Sequence, residues 1–124
     1  MPGPITIVLA DDHTLIRGGL RMLLGTHPDL EVVGEASDIP SVFRQLRGLR
    51  PAVLLLDLHM PGGSSLEAIP RLMALSTGTA IVVLTMDDDP ALVREATAAG
   101  ARAFLVKDAA EADLVRTIRR VAGS

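Results

Sequence analysis

The chain has 124 residues, a formal net charge of −3 and no cysteine, so it fits one domain without a disulfide framework or a thiolate metal site. This mildly acidic balance offers no concentrated basic face for nucleic acid, and no apolar run approaches the length of a membrane span. We therefore expect residues 1–124 to form a single domain of a cytoplasmic protein that binds neither DNA nor a membrane by itself.

Apolar runs alternate with amphipathic segments five times along the chain. The predicted strands are 5–10, 30–36, 52–56, 80–84 and 103–106. The predicted helices lie at 14–24, between Asp38 and Arg50, at 65–75, from Pro90 to Gly100, and after residues 108–111. This alternation favours a parallel sheet with helices on both faces, because parallel neighbours need crossover connections.

The order of the strands can be predicted as well. Strand 30–36 carries Glu31 and Glu35, which suits an edge of the sheet. With right-handed crossovers, a polar second strand favours the order 2-1-3-4-5. The expected architecture is a doubly wound (βα)5 fold, an α/β/α sandwich of three layers.

Local signals predict where several helices begin. Asp38 and Asp89 are expected to act as helix N-caps, the latter followed by Pro90 at the first helical position. Residues 108–111, Asp-Ala-Ala-Glu, resemble a capping box. Pro70 falls near the fifth position of helix 65–75, which predicts a kink or a late start there.

Polar residues follow four of the strands at the same end. Asp11 and Asp12 follow the first strand, Asp57 the third, Thr85 the fourth and Lys107 the fifth. In a parallel sheet these ends meet at one edge, where ligands bind. Lys107 is the only lysine of the chain. This indicates that the position requires the compact point charge of an ammonium group, and the alternative is chance in an arginine-rich composition.

Three carboxylates at one edge would repel each other by about 4 kcal/mol per close pair at an effective dielectric constant of about 20. Oxygen ligands without cysteine select a hard cation, and Mg²⁺ is the natural choice. A carboxylate beside a divalent cation, an ammonium and a hydroxyl is equipped to attack phosphorus. His13 and His59 are interpreted as solvated loop histidines, because no further zinc ligand is apparent.

These five positions resemble the receiver domain of bacterial two-component response regulators. The resemblance covers nearly the whole chain and includes Asp57 within Asp-Leu-His-Met-Pro-Gly. It implies the flavodoxin-like fold and a phosphoacceptor signalling domain. Such a domain is not an enzyme with separate substrates, since it catalyses only its own phosphorylation and dephosphorylation.

The resemblance also implies a role for each carboxylate. Asp57 would accept a phosphoryl group from the phosphohistidine of a sensor histidine kinase, or from a small donor such as acetyl phosphate. Asp12, Asp57 and the backbone carbonyl of His59 would bind Mg²⁺ directly, and Asp11 would act through water.

The remaining site residues are implied to bind and report the phosphoryl group. Lys107 would pair with Asp57 and later with a phosphoryl oxygen, and Thr85 would swing to hydrogen-bond the phosphate. Phe104 would pack inward when Thr85 moves; plain core packing is the alternative role for Phe104. The output would be a changed face made of helix 4, strand 5 and helix 5.

Three segments resemble the NarL/FixJ group in particular: Leu-Ala-Asp-Asp-His at 9–13, Val-Val-Gly-Glu-Ala at 32–36 and Leu-Val-Lys-Asp at 105–108. Members of this group usually carry a C-terminal helix-turn-helix of the LuxR type, which binds DNA and controls transcription. This chain lacks such a segment, so we expect either an excised receiver or a stand-alone one.

A second apolar line on helix 1, made of Leu15, Gly19 and Met22, indicates contact with another subunit. The resemblance implies a homodimer favoured by phosphorylation and formed through helices 1 and 5. Leu114 and Ile118 are the candidate contacts on helix 5.

Other functions predict different residues at these positions. An aspartyl phosphatase would resemble Asp-x-Asp after the first strand, with a second acid two residues beyond the nucleophile; His59 stands two residues beyond Asp57. A flavin-binding module would need a phosphate-binding loop after strand 1, where Asp11 and Asp12 repel anions. A pseudo-receiver that acts only as an interaction module is a further alternative.

Overall fold

The computed structural model of the chain describes residues 3–87 and 89–123. Strands and helices alternate as predicted, in the order β1 (Ile5–Ala10), α1 (Thr14–Gly25), β2 (Leu30–Ala36), α2 (Ile39–Leu49), β3 (Val53–Asp57), α3 (Ser65–Leu75), β4 (Ala80–Thr85), α4 (Pro90–Ala99), β5 (Ala103–Val106) and α5 (Glu111–Ala122). The prediction is confirmed to within one residue at every strand boundary.

The five strands form one parallel sheet in the order β2-β1-β3-β4-β5, as predicted. Alternate residues of the central strands point to opposite faces. One face packs with α2, α3 and α4, and the other packs with α1 and α5. The fold is therefore the expected three-layer sandwich, and its strands are apolar on both sides because both faces are covered.

Two predicted N-caps are confirmed. The Asp38 side chain accepts a hydrogen bond of 2.8 Å from a backbone N–H in the first turn of α2. Asp89 does the same for α4 at 2.9 Å, and Pro90 occupies the first position of that helix. These caps satisfy N–H groups that have no partner within the helix.

The capping box predicted at Asp108 is wrong. The chain first closes a turn after β5, in which the N–H of Ala109 donates to the carbonyl of Val106 at 3.0 Å. Helix α5 begins only at Glu111, with Ala110 in the N-cap position and no side-chain cap among the described residues.

Helix α3 includes Pro70 and still begins at Ser65, so the expected late start is not observed. The hydroxyl of Ser64 accepts a hydrogen bond of 3.2 Å from the N–H of Glu67 and closes the first turn. This cap fixes the start of the helix ahead of the proline.

The strand register brings the ends of the strands to one edge. Ala10 of β1 pairs with Leu56 of β3, and Thr85 of β4 pairs with Val106 of β5. The residue that follows each strand therefore lies at the same edge of the sheet. In the part of the chain that the structure describes, no helix has the length and apolar character needed to cross a membrane.

Candidate functional site

A single ammonium group contacts two carboxylates at the carboxyl edge of the sheet. Nζ of Lys107 lies 2.8 Å from Oδ2 of Asp11 and 3.0 Å from Oδ2 of Asp57. All three side chains are at most 5% exposed. The backbone N–H of Lys107 donates to the carbonyl of Thr85 at 2.8 Å, which extends the β4–β5 pairing and fixes the start of this side chain.

The environment favours the charged forms of Asp11 and Lys107. Burial by itself would raise the pKa of the Asp11 carboxyl, but the Lys107 ammonium and the N–H of His13 hold this pKa below its ordinary value. Burial would lower the pKa of Lys107, but Asp11 and Asp57 raise it. The site therefore holds a charged ion-pair cluster away from bulk water.

Asp57 is fixed on three sides. Its Oδ1 accepts a hydrogen bond of 3.0 Å from the N–H of His59, and its Oδ2 contacts Lys107. Its backbone carbonyl accepts a hydrogen bond of 2.8 Å from the buried hydroxyl of Ser65, in the first turn of α3. The carboxylate thus has a defined orientation at the end of a fully buried strand.

Asp11 and Asp12 face this pocket. The N-cap position of α1 belongs to His13, and no side chain of the described residues caps this helix, so neither acid has a capping role. Nδ1 of His13 lies 3.2 Å from Oδ1 of Asp11 and 3.3 Å from Oδ1 of Asp12. Potential ligand atoms of these three residues and Asp57 all lie within 4.8 Å of one another.

The donor set fits a divalent cation. The ammonium of Lys107 contacts two of the three carboxylates, Asp11 and Asp57, and one positive charge cannot balance three negative ones, so a net negative charge remains. Buried Oδ2 of Asp11 contacts this ammonium but makes no well-aligned hydrogen bond among the described residues. A hard cation with oxygen ligands, such as Mg²⁺, would compensate this charge.

The structure brings Thr85 to the same edge and places Phe104 one strand away. Thr85 is fully buried, and its hydroxyl accepts a hydrogen bond of 3.3 Å from the N–H of Asp87. Phe104 is partly buried, pairs with Val83 in the sheet and packs against the core under α2, α3 and α4.

The residues proposed for a dimer lie in two different environments. Leu15 and Met22 of α1 are 91% and 77% exposed, and a side chain on Gly19 would meet no atom within 4 Å. Leu114 and Ile118 are 5% and 0% exposed and belong to the core between the sheet and α5. The expectation that these two residues form a dimer surface is wrong, because they pack inside the monomer.

Arg17 is a site residue that the sequence did not indicate. Its guanidinium donates to the backbone carbonyl of Asp11 at 2.6 Å and to Oε1 of Glu35 at 2.8 Å. It therefore connects α1 and β2 to the loop that carries the acid pair. The sequence predicts that Arg17 lies one turn into helix 14–24. It does not predict the β1–β2 register that brings Glu35 close to Arg17.

A doubly wound sheet with an acid pair, a buried carboxylate and a lysine at the ends of β1, β3 and β5 is the arrangement that the sequence predicted for a receiver domain. Residues 7–119 match the family model of the response regulator receiver domain. The chain belongs to this family and to its NarL/FixJ group, as the sequence predicted.

Curated relatives are transcriptional regulators. The transcriptional regulatory protein UhpA of Salmonella typhimurium is 40% identical over 118 residues, which are 95% of this chain and 59% of that protein. The nitrate/nitrite response regulator protein NarL of Escherichia coli is 37% identical over 119 residues, 96% of this chain and 55% of that protein. The chain thus spans little more than half the length of these relatives.

Solved structures show the same fold. The signal receiver domain of the response regulator NarL from Mycobacterium tuberculosis superposes with a TM-score of 0.93, at 30% identity, and covers 99% of each chain. The isolated receiver domain of RcsB from Salmonella enterica serovar Typhimurium, studied with the phosphomimetic BeF3−, gives a TM-score of 0.84 at 26% identity, over 96% of this chain and 99% of that one. The predicted fold is confirmed.

Proposed function

We propose that Asp57 accepts a phosphoryl group from a sensor histidine kinase in a Mg²⁺-dependent reaction. The observation that carries this proposal is the Asp57 carboxylate, 2% exposed and held between the N–H of His59 and the ammonium of Lys107, with Asp11 beside it. In this two-component pathway, phosphorylation would control transcription through a LuxR-type DNA-binding domain outside this chain. The names of the curated relatives support that output.

The transfer forms one bond and breaks one. A carboxylate oxygen of Asp57 bonds to phosphorus, the bond from phosphorus to the imidazole nitrogen of the kinase breaks, and that nitrogen keeps the electron pair. Asp12, Asp57 and the backbone carbonyl of His59 would hold Mg²⁺, with Asp11 acting through water. When bound, the ion would supply charge compensation for the phosphoryl oxygens.

Lys107 and Thr85 would hold the new group. Nζ of Lys107, 3.0 Å from Oδ2 of Asp57, would donate to a phosphoryl oxygen after transfer. The hydroxyl of Thr85 now accepts one long hydrogen bond from Asp87 and would turn to donate to the phosphate. Phe104 would then pack inward and change the face formed by α4, β5 and α5.

Intact mass after incubation with acetyl phosphate tests the proposal. We expect one added phosphoryl group in the presence of Mg²⁺ and none after chelation. Asp57→Asn should add none, whereas Asp113→Asn, which changes an exposed acid on α5, should be labelled like the wild type. An unmodified wild type would favour an interaction module, and equal labelling of Asp57→Asn would exclude Asp57 as the acceptor.

We further propose that phosphorylation favours a homodimer in which α1 contributes Leu15, Gly19 and Met22. Two large apolar side chains that are 91% and 77% exposed stand on this helix and offer area for a second copy of the chain. On α5 the contacts would come from exposed positions, since Leu114 and Ile118 are in the core.

Sedimentation with and without beryllofluoride tests the dimer. We expect the mass to double at micromolar protein with beryllofluoride, and Met22→Gln to weaken this change. Leu49→Gln removes a partly exposed leucine from α2 and serves as the matched control. An unchanged mass for the wild type would refute the dimer.

A further inference from the structure

Helix α2 carries charge of one sign. Residues 39–50 contain three arginines and no acidic residue, although the whole chain has a net charge of −3. Arg44, Arg47 and Arg50 are all exposed. Because they follow one another at intervals of three residues, they form a ridge that runs to the C-terminal end of the helix. Asp38, just before the helix, is engaged as its N-cap.

Helix α3 adds a fourth arginine beside this ridge. The exposed guanidinium of Arg71 lies 4.8 Å from the centre of the Phe43 ring on α2. Arg47 follows Phe43 by one turn, so it lies on the side of α2 that faces Arg71. Stacking on a ring fixes a guanidinium before a partner binds and leaves its N–H donors directed outward. We call Arg44, Arg47, Arg50 and Arg71 the arginine face.

Other arginines of the fold have carboxylate partners. Both arginines of α1 pair with Glu35, and Arg119 of α5 donates to both oxygens of Asp29. Within the part of the chain that the structure describes, no carboxylate forms an ion pair with the arginine face. Arg44 donates instead to the neutral hydroxyl of Ser41 at 2.9 Å. The face therefore presents positive charge that the fold itself does not neutralise.

Arg50 stands where the backbone favours glycine. It is the C-cap of α2, with φ of 44° and ψ of 60°, and the one non-glycine residue of positive φ among the described residues. An L side chain is strained in this conformation, and the chain places Gly100 at the matching position after α4. Arg47 already supplies a cation to the last turn of α2, so the helix dipole does not require a second one. The arginine at this strained position indicates a role outside the fold.

We propose that the arginine face binds an acidic segment of a partner protein, with its carboxylates on one side of a helix. Guanidinium groups bind carboxylates through paired hydrogen bonds. Arginines three residues apart on α2 are separated by about 4.5 Å along the helix axis, and carboxylates three or four residues apart on a partner helix have a similar spacing of about 5–6 Å. A long nucleic acid would also meet the acidic remainder of the chain, so a short acidic segment fits better. This inference does not depend on the proposed phosphorylation.

Fluorescence anisotropy with a synthetic peptide tests the proposal on the whole chain. The probe is a fluorescein-labelled, alanine-rich helix with glutamates three and four residues apart on one side, and its glutamine analogue is the neutral control. We expect saturable binding of the glutamate probe alone, with an affinity lowered about tenfold in Arg44→Gln/Arg47→Gln, since two charged contacts are lost. Arg116→Gln/Arg120→Gln makes the same change in net charge on exposed positions of α5 and should bind within about twofold of the wild type.

Arg50→Gly separates a binding role from a structural one. Relief of the strained backbone should raise the Tm by about 2–5 °C in thermal unfolding followed by far-ultraviolet circular dichroism. The affinity for the glutamate probe should fall at least about twofold in the same variant. A lower Tm with unchanged affinity would mean that Arg50 serves the fold alone and would count against the proposal.

Three results would overturn the proposal: no saturable binding of the glutamate probe, an equal loss of affinity in the α5 variant, or tighter binding of a labelled single-stranded oligonucleotide that is lost in Arg44→Gln/Arg47→Gln. The last result would assign the face to nucleic acid. Arg44→Gln/Arg47→Gln should still be labelled at Asp57 by acetyl phosphate. Failure of the binding test and failure of the proposed function are therefore distinguishable.

Discussion

The middle of β3 and its carboxyl end are equally buried, but the middle carries an apolar side chain and the end carries a carboxylate. Leu54 is 0% exposed and Asp57, three residues later, is 2% exposed. Burying a leucine stabilises the fold by about 1.5–3 kcal/mol, whereas burying a carboxylate opposes folding unless a partner compensates its charge. One short strand therefore stabilises the core along most of its length and presents a reactive group at its end. Substitutions along it should separate stability from chemistry.

Leu54→Ala should have the largest effect on stability. The cavity in the core under α2 and α3 should lower the free energy of unfolding by about 2–5 kcal/mol. Labelling of Asp57 should survive at low temperature in the folded fraction. Urea unfolding followed by far-ultraviolet circular dichroism measures the loss, because the chain has neither Trp nor Tyr for fluorescence. A loss below about 1 kcal/mol would contradict the claim that the middle of β3 stabilises the core.

Lys107→Met should come next, with a loss of about 1–3 kcal/mol in the absence of divalent ions, because Asp11 and Asp57 lose their shared cation. Mg²⁺ should recover part of this stability. Arg116→Met removes one partner of the exposed pair with Asp113 and should change stability by less than about 0.5 kcal/mol. Equal losses in the two variants would mean that the pocket is not a buried charge cluster.

Asp57→Asn tests the same comparison at the carboxyl end of β3. Removing one of three neighbouring carboxylates relieves repulsion, so the free energy of unfolding without Mg²⁺ should stay the same or rise by about 1 kcal/mol, while labelling is lost. The same urea and mass measurements apply. A loss of more than about 2 kcal/mol would show that this carboxylate holds the fold together.

The smallest effect should be a pH dependence at Asp11. Its pKa in the folded protein lies below the ordinary value of 3.8, so its contribution to stability is present above that value and is lost as the pH falls through the lower folded pKa. Asp11→Asn should therefore lose less stability than the wild type between about pH 5 and pH 3 in the absence of divalent ions. Parallel pH profiles would contradict the charge pairing of Asp11.

The contrast between apolar strands and polar strand ends explains what could be predicted from the sequence. Continuous apolar runs and a polar second strand are enough to fix the strands and their order. Because Asp11, Asp57 and Lys107 directly follow strand ends, the order of the sheet alone brings them to one edge. No side-chain detail was needed for that part of the site.

The rest depends on geometry that the sequence does not carry. The pairing of β1 with β2 shifts register between Ile7 and Val8, and Glu35 reaches Arg17 beyond that shift. The His13 imidazole reaches the acids only through the conformation of the β1–α1 loop. On α5, Leu114 and Ile118 pack against the sheet, so they are not available for the dimer contact that the resemblance implied.

The central claim is that residues 11, 12, 57, 85 and 107 form one pocket for Mg²⁺ and a phosphoryl group. Backbone amide NMR spectra recorded with beryllofluoride, with and without Mg²⁺, test it most directly. The account predicts that the largest shifts occur at these residues, require Mg²⁺ and vanish in Asp57→Asn. Shifts that scatter over the surface, or that persist in Asp57→Asn, would contradict it.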